Sequence, residues 1–580
     1  MHLLPRFAAA ALAIAFCQGA AAQPATRPFT VEDLVRLKRL SDPQVSPDGR
    51  RVAFVLRETD MEANRGRTDL WLLELGATAA EPRRLTQHSA NDSNPRWAPD
   101  SRMLYFLSTR SGSSQVWRLS LDGGEATQVT DYPLDVNTLK VAPTGDRIAI
   151  AMEVFPDCAD PKCTKDRLAA EEKSPTSERL YDRVFVRHWD TWKNGMRSHL
   201  FSAAVGADGK AGTPVDLSGK LDADVPSKPF GGDEDFDFSP DGRQLVFSAR
   251  AAGRAEPWST NFDLYDVPVD GASAPTNLTE SNPAWDAQPV FLPNGDLAYL
   301  AMERPGFEAD RFHVVLRDSR GGVRSLTRSW DRSVSRLGVV PGGRRLLATT
   351  DDIGQHALYA IDVSTGAPRK LVGTGQVTDY SPTRDGVVFA WSSLGAPADL
   401  HVVRANGRAP RRLTSVNREL LAQRALTEFE QFSFKGWNDE TVYGYIVKPH
   451  GFEAGKRYPL AFFVHGGPQS SFQNQWNYRW NGQAFAGSGY AFVTIDFHGS
   501  PGYGQAFTDS ISRDWGGKPV EDLQKGLAAA FARYPWLDEK RVCALGASYG
   551  GFMMNWFAGN WSEPFRCIVN HAGIFDQRSM

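Results

Sequence analysis

Seven times between residues 41 and 424, a short polar turn is followed by an apolar strand. Two copies are "SPDGRRVAFVL" from Ser46 and "SPDGRQLVFSA" from Ser239. The other copies begin at Ala98, Ala142, Leu292, Val340 and Ser381. Proline fixes the backbone for a tight turn, and Asp and Gly favour the turn positions after it. Each copy therefore predicts a turn that leads into a strand.

A second pattern falls between these copies, and it also occurs seven times. It is an apolar strand, a glycine-rich turn and a short strand ending in Leu-Thr or similar, as in "DLYDVPVDGASAPTNLT". One unit supplies the strands of a four-stranded blade, which buries its faces against neighbouring blades in a ring. We predict a seven-bladed β-propeller over about residues 41–424. A β-sandwich would not give so regular an alternation.

The spacing of the repeat roughly doubles within the third blade, over about residues 152–198. An insertion of this length in a regular repeat is either functional or a surface embellishment, and we favour a substrate-facing role. Cys158 and Cys163 lie in its polar segment "FPDCADPKCTKD" and are predicted to form a disulfide. Zinc is the rival interpretation. We reject it because no second ligand pair follows at finger spacing.

The pattern changes from about residue 425 to residue 580. An antiparallel pair, "EQFSFKG" and "VYGYIVKP", precedes the apolar runs "YPLAFFVHGGP", "YAFVTIDFHG", "RVCALGAS" and "FRCIVNHAG". Helical patterns separate these runs, which is typical of parallel strands buried on both faces. We predict an α/β domain, so the fold class is a β-propeller followed by an α/β-hydrolase. Cys543 and Cys567 lie in the apolar runs and are expected to be separate buried residues.

The composition narrows the location and the partners of the protein. Residues 1–22 combine a basic start, a short apolar run and small residues, which predicts a cleaved signal peptide, and residues 23–40 are predicted to be a linker. No other segment is apolar enough to anchor the chain in a membrane, so we expect a periplasmic or secreted protein. The net charge of −3 gives no reason to expect a nucleic acid partner. No cofactor or metal is implied, and a homo-oligomer stays open.

"GASYG" at residues 546–550 follows an apolar run and precedes a helical pattern. Gly-x-Ser-x-Gly in this setting predicts a sharp turn that exposes a nucleophilic serine, Ser548, at the sheet edge. The two donors of an oxyanion hole are then predicted to be the backbone N–H groups of Tyr549 and of Gly467, in "HGGP". His465 precedes the Gly-Gly turn and is expected to support that loop rather than act as the base.

The general base and its acid should follow the serine in the chain. His571 is the one histidine after Ser548, and it comes too early for the base of this fold, as Asp576 does for the acid. We expect His571 to form part of the wall of the site. We also expect the sequence to be truncated at its C-terminus, without the triad Asp and His. This leaves open whether these 580 residues are active on their own.

These features together resemble the prolyl oligopeptidase family of serine peptidases. The resemblance rests on "HGGP", "DFHGSPGYG" and "GASYGGFM", and it covers nearly the whole chain. "YDRVFVRHWDTW" and "VNHAGIFDQRSM" look most like the dipeptidyl peptidase 5 group, with the acylaminoacyl peptidases as close competitors. The resemblance implies hydrolysis of short peptides near their N-terminus, with the propeller excluding folded proteins.

A dipeptidyl peptidase needs an anionic group for the free α-amine of its substrate. Glu171 and Glu172 in the insertion are candidates, although a solvated charged loop is the favoured interpretation there. Glu234 is the alternative, with Trp258 as an apolar wall. Two further classes stay open: an inactive periplasmic propeller that binds ligands, and an esterase. The large propeller disfavours the esterase, since small esters need no size filter.

Overall fold

The computed structural model describes residues 26–76, 81–182, 184, 186–219, 221–408 and 410–579. The predicted signal peptide, residues 1–22, lies outside the described residues. Within these ranges, no helix is both long and apolar enough to cross a bilayer. The segment predicted as a linker contains strand β1 (Arg27–Pro28) and helix α1 (Val31–Arg36).

Seven groups of four antiparallel strands follow, which confirms the predicted propeller fold. Blades 1 and 2 are β2 (Arg39–Val45), β3 (Arg51–Asp60), β4 (Arg65–Glu74) and β5 (Arg83–Arg84), then β6 (Asp92–Trp97), β7 (Met103–Ser108), β8 (Gln115–Ser120) and β9 (Thr127–Gln128). Blade 3 is β10 (Thr138–Val141), β11 (Arg147–Val154), β14 (Arg197–Ala204) and β15 (Val215–Asp216). Its insertion contains α2 (Pro161–Glu172), β12 (Arg187–His188) and β13 (Thr191–Trp192).

The remaining blades repeat this plan. Blades 4 and 5 are β16 (Phe236–Phe238), β17 (Gln244–Ala249), β18 (Asp263–Pro268) and β19 (Thr276–Asn277), then β20 (Asp286–Phe291), β21 (Leu297–Ala301), β22 (His313–Arg317) and β23 (Val323–Ser325). Blades 6 and 7 are β24 (Val334–Val339), β25 (Arg345–Asp351), β26 (His356–Asp362) and β27 (Pro368–Val372), then β28 (Gln376–Pro382), β29 (Gly386–Ser393), β30 (Ala396–Arg404) and β31 (Arg411–Arg412).

The repeated turn has the same geometry in different blades. Ser46 Oγ donates to the Asp48 carboxylate at 2.6 Å, and Gly49 adopts a φ of 73°. In blade 4, Ser239 Oγ donates to Asp241 at 2.6 Å, and Gly242 has a φ of 70°. Glycine adopts this left-handed backbone without the steric cost that a Cβ brings. In these blades the turn therefore reverses the chain and starts the second strand.

The second domain begins after α3 (Arg418–Leu421) and β32 (Arg424–Ala425), and it is built on one six-stranded sheet. Along the sheet, the strands are β33 (Phe429–Lys435), β34 (Thr441–Val447), β36 (Ala491–Asp496), β35 (Tyr458–Val464), β37 (Leu537–Ala547) and β38 (Phe565–His571). The last four are parallel, as predicted. Its helices are α4 (Gly482–Gly487), α5 (Gln505–Asp509), α6 (Lys518–Arg533) and α7 (Tyr549–Asn560).

Strand β35 shows why its sequence is apolar without interruption. Successive side chains of a strand point to opposite faces of the sheet. Phe462 and Val464 pack into one hydrophobic cluster of this domain, whereas Ala461 and Phe463 pack into another. Both faces of the strand are buried, so every position must be apolar.

The turn between the second and third strands of each blade lies at the same end of the ring as the link to the next blade. At this end the propeller meets the second domain. The Ile353 N–H donates to Gly502 O at 3.1 Å, the Gln505 N–H donates to Asp331 at 3.0 Å, and Arg304 pairs with Asp509 at 2.7 Å. The insertion of blade 3 links second and third strands, so it also lies at this end.

The structure agrees with one expectation for the cysteines and contradicts another. Cys158 is joined to Cys163 by a disulfide. Cys543 and Cys567, expected as separate buried residues, are also joined, and Cys567 is exposed. The expectation was wrong because β38 lies at the edge of the described sheet and places Cys567 directly beside Cys543, with their Cα atoms 4.7 Å apart. This separation is within the range that a disulfide spans.

A buried carboxylate joins the chain segment before the propeller to the segment after it. Strand β1 pairs with β32, and Asp33 lies between Arg27 and Arg424, 3.1 and 2.8 Å from them. The Thr30 N–H donates to Asp33, whose own N–H donates to Thr30 Oγ1, so the carboxylate also caps α1. Asp33 is 1% exposed, and the Arg424 side chain is 10% exposed.

We expect Asp33→Ala to lower the free energy of unfolding by about 3 kcal/mol, because the substitution leaves the buried Arg424 guanidinium without its anion. Urea unfolding measures this loss. The matched control is Glu32→Ala on the same helix, which removes only a solvent-exposed pair with Arg36. This control should change the free energy by less than about 0.5 kcal/mol. Equal effects of the two substitutions would contradict the linking role of Asp33.

Candidate active site

Ser548 occupies a strained turn between β37 and α7. Its φ of 56° and ψ of −118° are unusual for a residue with a Cβ, and such a conformation costs about 1–3 kcal/mol unless its surroundings impose it. Here they do, because the Ser548 N–H donates to His571 O at 3.0 Å and Ser548 O accepts from the Phe552 N–H at 2.9 Å. The serine is held by backbone contacts on both sides.

Three glycines around Ser548 are required by close packing. A Cβ on Gly546 would lie 2.2 Å from Gly550 O, and a Cβ on Gly550 would lie 2.2 Å from Val464 O. A Cβ on Gly551 would lie 2.4 Å from the Cα of Gly573. Real Cβ contacts are never this short, so only glycine allows strands β35 and β37 and helix α7 to meet around the serine.

The "HGGP" loop lies directly against the serine. A Cβ on Gly466 would lie 3.3 Å from Ser548 Cβ, and Gly467 has a φ of 123° that favours glycine. His465 is buried and stacks on Phe497. Its Nδ1 is 2.8 Å from Gly466 O and its Nε2 is 3.1 Å from Ser500 Oγ. One neutral tautomer satisfies both contacts: Nδ1–H donates to the carbonyl, and Nε2 accepts from the hydroxyl. Burial lowers the pKa of His465, which favours this neutral form.

Tyr549 is the first residue of α7, so its N–H has no acceptor within the helix. The positive end of the helix dipole adds to this N–H where negative charge would develop on a substrate. The Tyr549 side chain points elsewhere. It is fully buried, and its hydroxyl donates to Trp515 O at 2.8 Å. Burial raises the pKa of the phenol, which therefore stays neutral.

Within the described residues, no imidazole or carboxylate hydrogen-bonds to Ser548 Oγ. His571 contacts the serine through its carbonyl, while its ring meets Trp480 edge-on at 5.4 Å. Asp576 accepts from the Arg578 N–H at 3.0 Å. His571 thus contributes to the wall of the site by its backbone, and the described residues assign no base to Ser548.

Glu234 lies in a 3₁₀ turn, Asp233–Asp235, at the end of the propeller that faces the second domain. Burial alone would raise the pKa of Asp233, but Arg96, 2.7 Å away, lowers it to about 2. Asp235 accepts from both the N–H and the hydroxyl of Ser227, and burial raises its pKa to about 7. Burial also raises the pKa of Glu234, which has no ion-pair partner among the described residues.

The other predicted binding residues lie in the segments that link the second and third strands of blades 3 and 4, at the same end. Trp258 is 73% exposed, in the turn between β17 and β18. Glu171 is 3.5 Å from Arg167 in α2, and Glu172 is exposed next to it. The structure does not show Glu234, Trp258 and the Glu171–Glu172 pair in contact with one another or with Ser548.

A cavity of about 910 Å³ lies between the insertion and the turns of blades 3 and 4. Glu171 lines it, together with Arg197 and Glu256, two residues that the sequence did not single out. Their side chains pair at 2.8 Å. Burial opposes ionisation of Glu256, but Arg197 outweighs it and lowers its pKa to about 2. The Glu256 carboxylate is therefore ionised, and its charge is already balanced by Arg197. No pattern in the sequence joins the two residues, because they are 59 positions apart.

Comparison with known proteins gives matches for both domains. The family model described as "Prolyl oligopeptidase family" matches residues 476–580, and the one described as "TolB beta propeller domain" matches residues 36–156. The dipeptidyl-peptidase 5 of Aspergillus fumigatus is 30% identical over 96% of this chain and 80% of its own length. The dipeptidyl-peptidase 5 of Porphyromonas gingivalis is 28% identical over 94% of this chain and 79% of its own.

Among solved structures, the acylaminoacyl peptidase of Pyrococcus horikoshii aligns with a TM-score of 0.76. The alignment covers 94% of this chain and 79% of that protein, at 18% identity. At this identity the likeness supports the fold alone.

We expect Gly550→Ala to abolish reaction of Ser548 with a fluorophosphonate, because its Cβ would collide with Val464 O and force the serine turn apart. The matched control is Gly559→Ala in the same helix, where a Cβ would meet nothing within 4 Å. The control should label as the native protein does, with equal or slightly higher stability because alanine favours a helix. Intact mass reports the adduct. Labelling of both variants would show that the close packing is not required.

Proposed function

This chain belongs to the prolyl oligopeptidase family of serine peptidases, and we propose that it removes dipeptides from the free N-terminus of short peptides through an acyl-enzyme on Ser548. The observation that carries the proposal is the strained serine turn packed against the "HGGP" loop. In the proposed site, the Ser548 hydroxyl attacks the acyl carbon, and the two backbone N–H groups bind the oxygen of the same carbonyl. The relatives named dipeptidyl-peptidase 5 support the choice of dipeptides.

In the first step, Ser548 Oγ forms a bond to the carbonyl carbon of the scissile amide. The carbonyl oxygen gains negative charge and lies between the N–H groups of Tyr549 and Gly467. The C–N bond then breaks, and the leaving amine takes up the proton lost by the hydroxyl. Water hydrolyses the resulting ester and restores the serine. Each backbone donor of such a site is worth about 10²–10³ in rate.

We assign the substrate's α-ammonium to Glu234. Three other carboxylates at this end already pair with an arginine: Asp233 with Arg96, Glu256 with Arg197, and Glu171 with Arg167. Glu234 is also partly buried, but among the described residues it forms no ion pair with an arginine or lysine. Trp258 then supplies an apolar surface for the first side chains of the peptide. The Glu171–Glu172 pair is the weaker candidate, because both residues are exposed.

An exported location fits the same proposal. The predicted signal peptide directs the protein to the periplasm or outside the cell, where disulfides persist. Two disulfides, Cys158–Cys163 and Cys543–Cys567, support that compartment.

The test of the serine assignment is intact mass after treatment with a fluorophosphonate. We expect one adduct on the native protein, located at Ser548, and none on Ser548→Ala. Ser562 provides the control. It is exposed and follows helix α7, so Ser562→Ala should still be labelled. An unlabelled native protein would contradict the peptidase proposal and favour a propeller that only binds its ligand. Comparing a dipeptidyl amide, an N-acetyl-amino-acid amide and a short ester then separates dipeptidyl peptidase, acylaminoacyl peptidase and esterase.

We expect Glu234→Gln to raise KM for a free-amine dipeptidyl amide by about 10–100-fold, the loss of one charge-assisted hydrogen bond. KM for the N-acetylated form of the same substrate should stay unchanged. Glu172→Gln is the matched control and should alter neither value. Steady-state kinetics measure all four cases. An unchanged KM of Glu234→Gln for the free amine would remove Glu234 from the amine site.

A further inference from the structure

We propose that Asp351, in the propeller, is a positioning residue for the oxyanion hole and acts through Gln473 on the loop that carries Gly467. This loop, residues 465–476, is called the oxyanion loop below. The turn of residues 351–356 between β25 and β26 of blade 6 is called the docking turn. The proposal rests on the proposed role of Gly467 as an oxyanion donor, and it adds a residue from the other domain.

The middle of the oxyanion loop is fixed from within its own domain. Asp496, at the end of β36, accepts from Ser471 Oγ at 2.6 Å and from the Phe472 N–H at 3.1 Å. The Tyr503 hydroxyl donates to the same carboxylate at 2.7 Å. These contacts hold residues 471–472 against the sheet. The Gln473 N–H also donates to Ser471 Oγ at 3.1 Å, which leaves the Gln473 side chain and the residues after it to be held by other groups.

The side chain of the next residue, Gln473, is held by the propeller. Its φ is 45°, in the left-handed region that a residue with a Cβ avoids. Its Nε2 donates to Asp351 Oδ1, and the His356 ring nitrogen Nδ1 lies 2.6 Å from the same oxygen. Gln473 and Asp351 are 122 positions apart and belong to different domains. The side chain of this strained residue is thus held by an acceptor that the docking turn supplies.

Asn474 continues the same attachment. Its N–H donates to Gly354 O at 2.8 Å, and its Nδ2 donates to Gln355 Oε1 at 3.2 Å. Its Oδ1 accepts from the Leu394 N–H of blade 7 at 3.0 Å. Two successive residues of the loop are therefore fixed by blades 6 and 7. A hydrogen bond to a buried partner is costly to break, so docking of the propeller defines where this end of the loop lies.

Gly467 is six positions from Gln473, and the segment between them is anchored at Asp496. A shift at residue 473 that strained this anchor would move the Gly467 N–H relative to Ser548. Oxyanion stabilisation requires donors about 2.7–3.1 Å from the developing charge, so a small displacement lowers kcat. KM for a substrate that does not reach the propeller would stay the same.

The test introduces a negative charge at the contact. In Gln473→Glu a carboxylate faces the Asp351 carboxylate, and we expect kcat for p-nitrophenyl acetate to fall by about tenfold or more. KM should be unchanged, because so small an ester has no contact with the propeller. The double variant Asp351→Asn with Gln473→Glu restores a donor and an acceptor in reversed order. The introduced amide nitrogen carries two hydrogens, so it can donate to the new carboxylate and also to His356 Nδ1, which faces the same position and accepts in its other neutral tautomer. This double variant should recover most of kcat.

Gln431→Ala is the matched control. Gln431 Nε2 donates to Ile353 O of the same docking turn at 2.9 Å, but Gln431 lies on β33, outside the oxyanion loop. This variant should keep the native kcat. Hydrogen exchange of the amides of residues 466–474 gives a second readout that does not need activity. Exchange should accelerate in Gln473→Glu. It should stay at the native rate in the double variant and in Gln431→Ala.

A native kcat and native exchange in Gln473→Glu would overturn the proposal. So would an equal loss in Gln431→Ala, which would indicate a general effect of the domain interface. If the native protein neither hydrolyses the ester nor reacts with a fluorophosphonate, the proposed function fails separately. In that case the exchange measurement alone decides whether Asp351 positions the loop.

Discussion

The contact between the Gly550 backbone and Val464 O is the constraint on which the catalytic domain depends. Helix α7 starts so close to the ends of β35 and β37 that no Cβ fits at Gly546, Gly550 or Gly551. This approach forces Ser548 into a conformation that costs free energy, and His571 O of β38 and the Phe552 N–H of α7 are the backbone partners that hold it there. The buried side chains of the sheet, such as Phe462 and Phe463, provide the rigidity that the strain requires.

Much of this could be predicted from the sequence because the signals are local. A Pro-Asp-Gly turn before a strand, repeated seven times, leaves few architectures other than a propeller, and the uninterrupted apolar runs indicate parallel strands. Both predictions of fold class are confirmed. Ser548 and the "HGGP" loop could be proposed for the same reason, since the glycine spacing records the close backbone approach. The structure places them side by side, while their chemical roles stay predictions.

What the sequence could not supply are contacts between residues far apart in the chain. Cys543 and Cys567 lie in apolar runs, and only the register of β37 and β38 shows that they face each other. Arg96 bridges Asp42 and Asp233, on blade 1 and before blade 4, and no periodicity signals this pairing. Asp351 and Gln473 are a further case. Such contacts depend on how blades and domains are arranged, which is fixed only after the local elements have formed.

The arrangement of charge at the propeller end explains how one carboxylate could distinguish a free amine from an acylated one. Arg96 keeps Asp233 ionised and already paired. Burial favours the protonated form of Asp235. Burial also makes ionisation of Glu234 unfavourable, and the charge of Asp233 adds to this effect. A substrate ammonium would compensate both penalties and lower the pKa of Glu234 again. Ionisation and amine binding would therefore reinforce each other, whereas an acylated N-terminus brings no charge and leaves the carboxylate uncompensated.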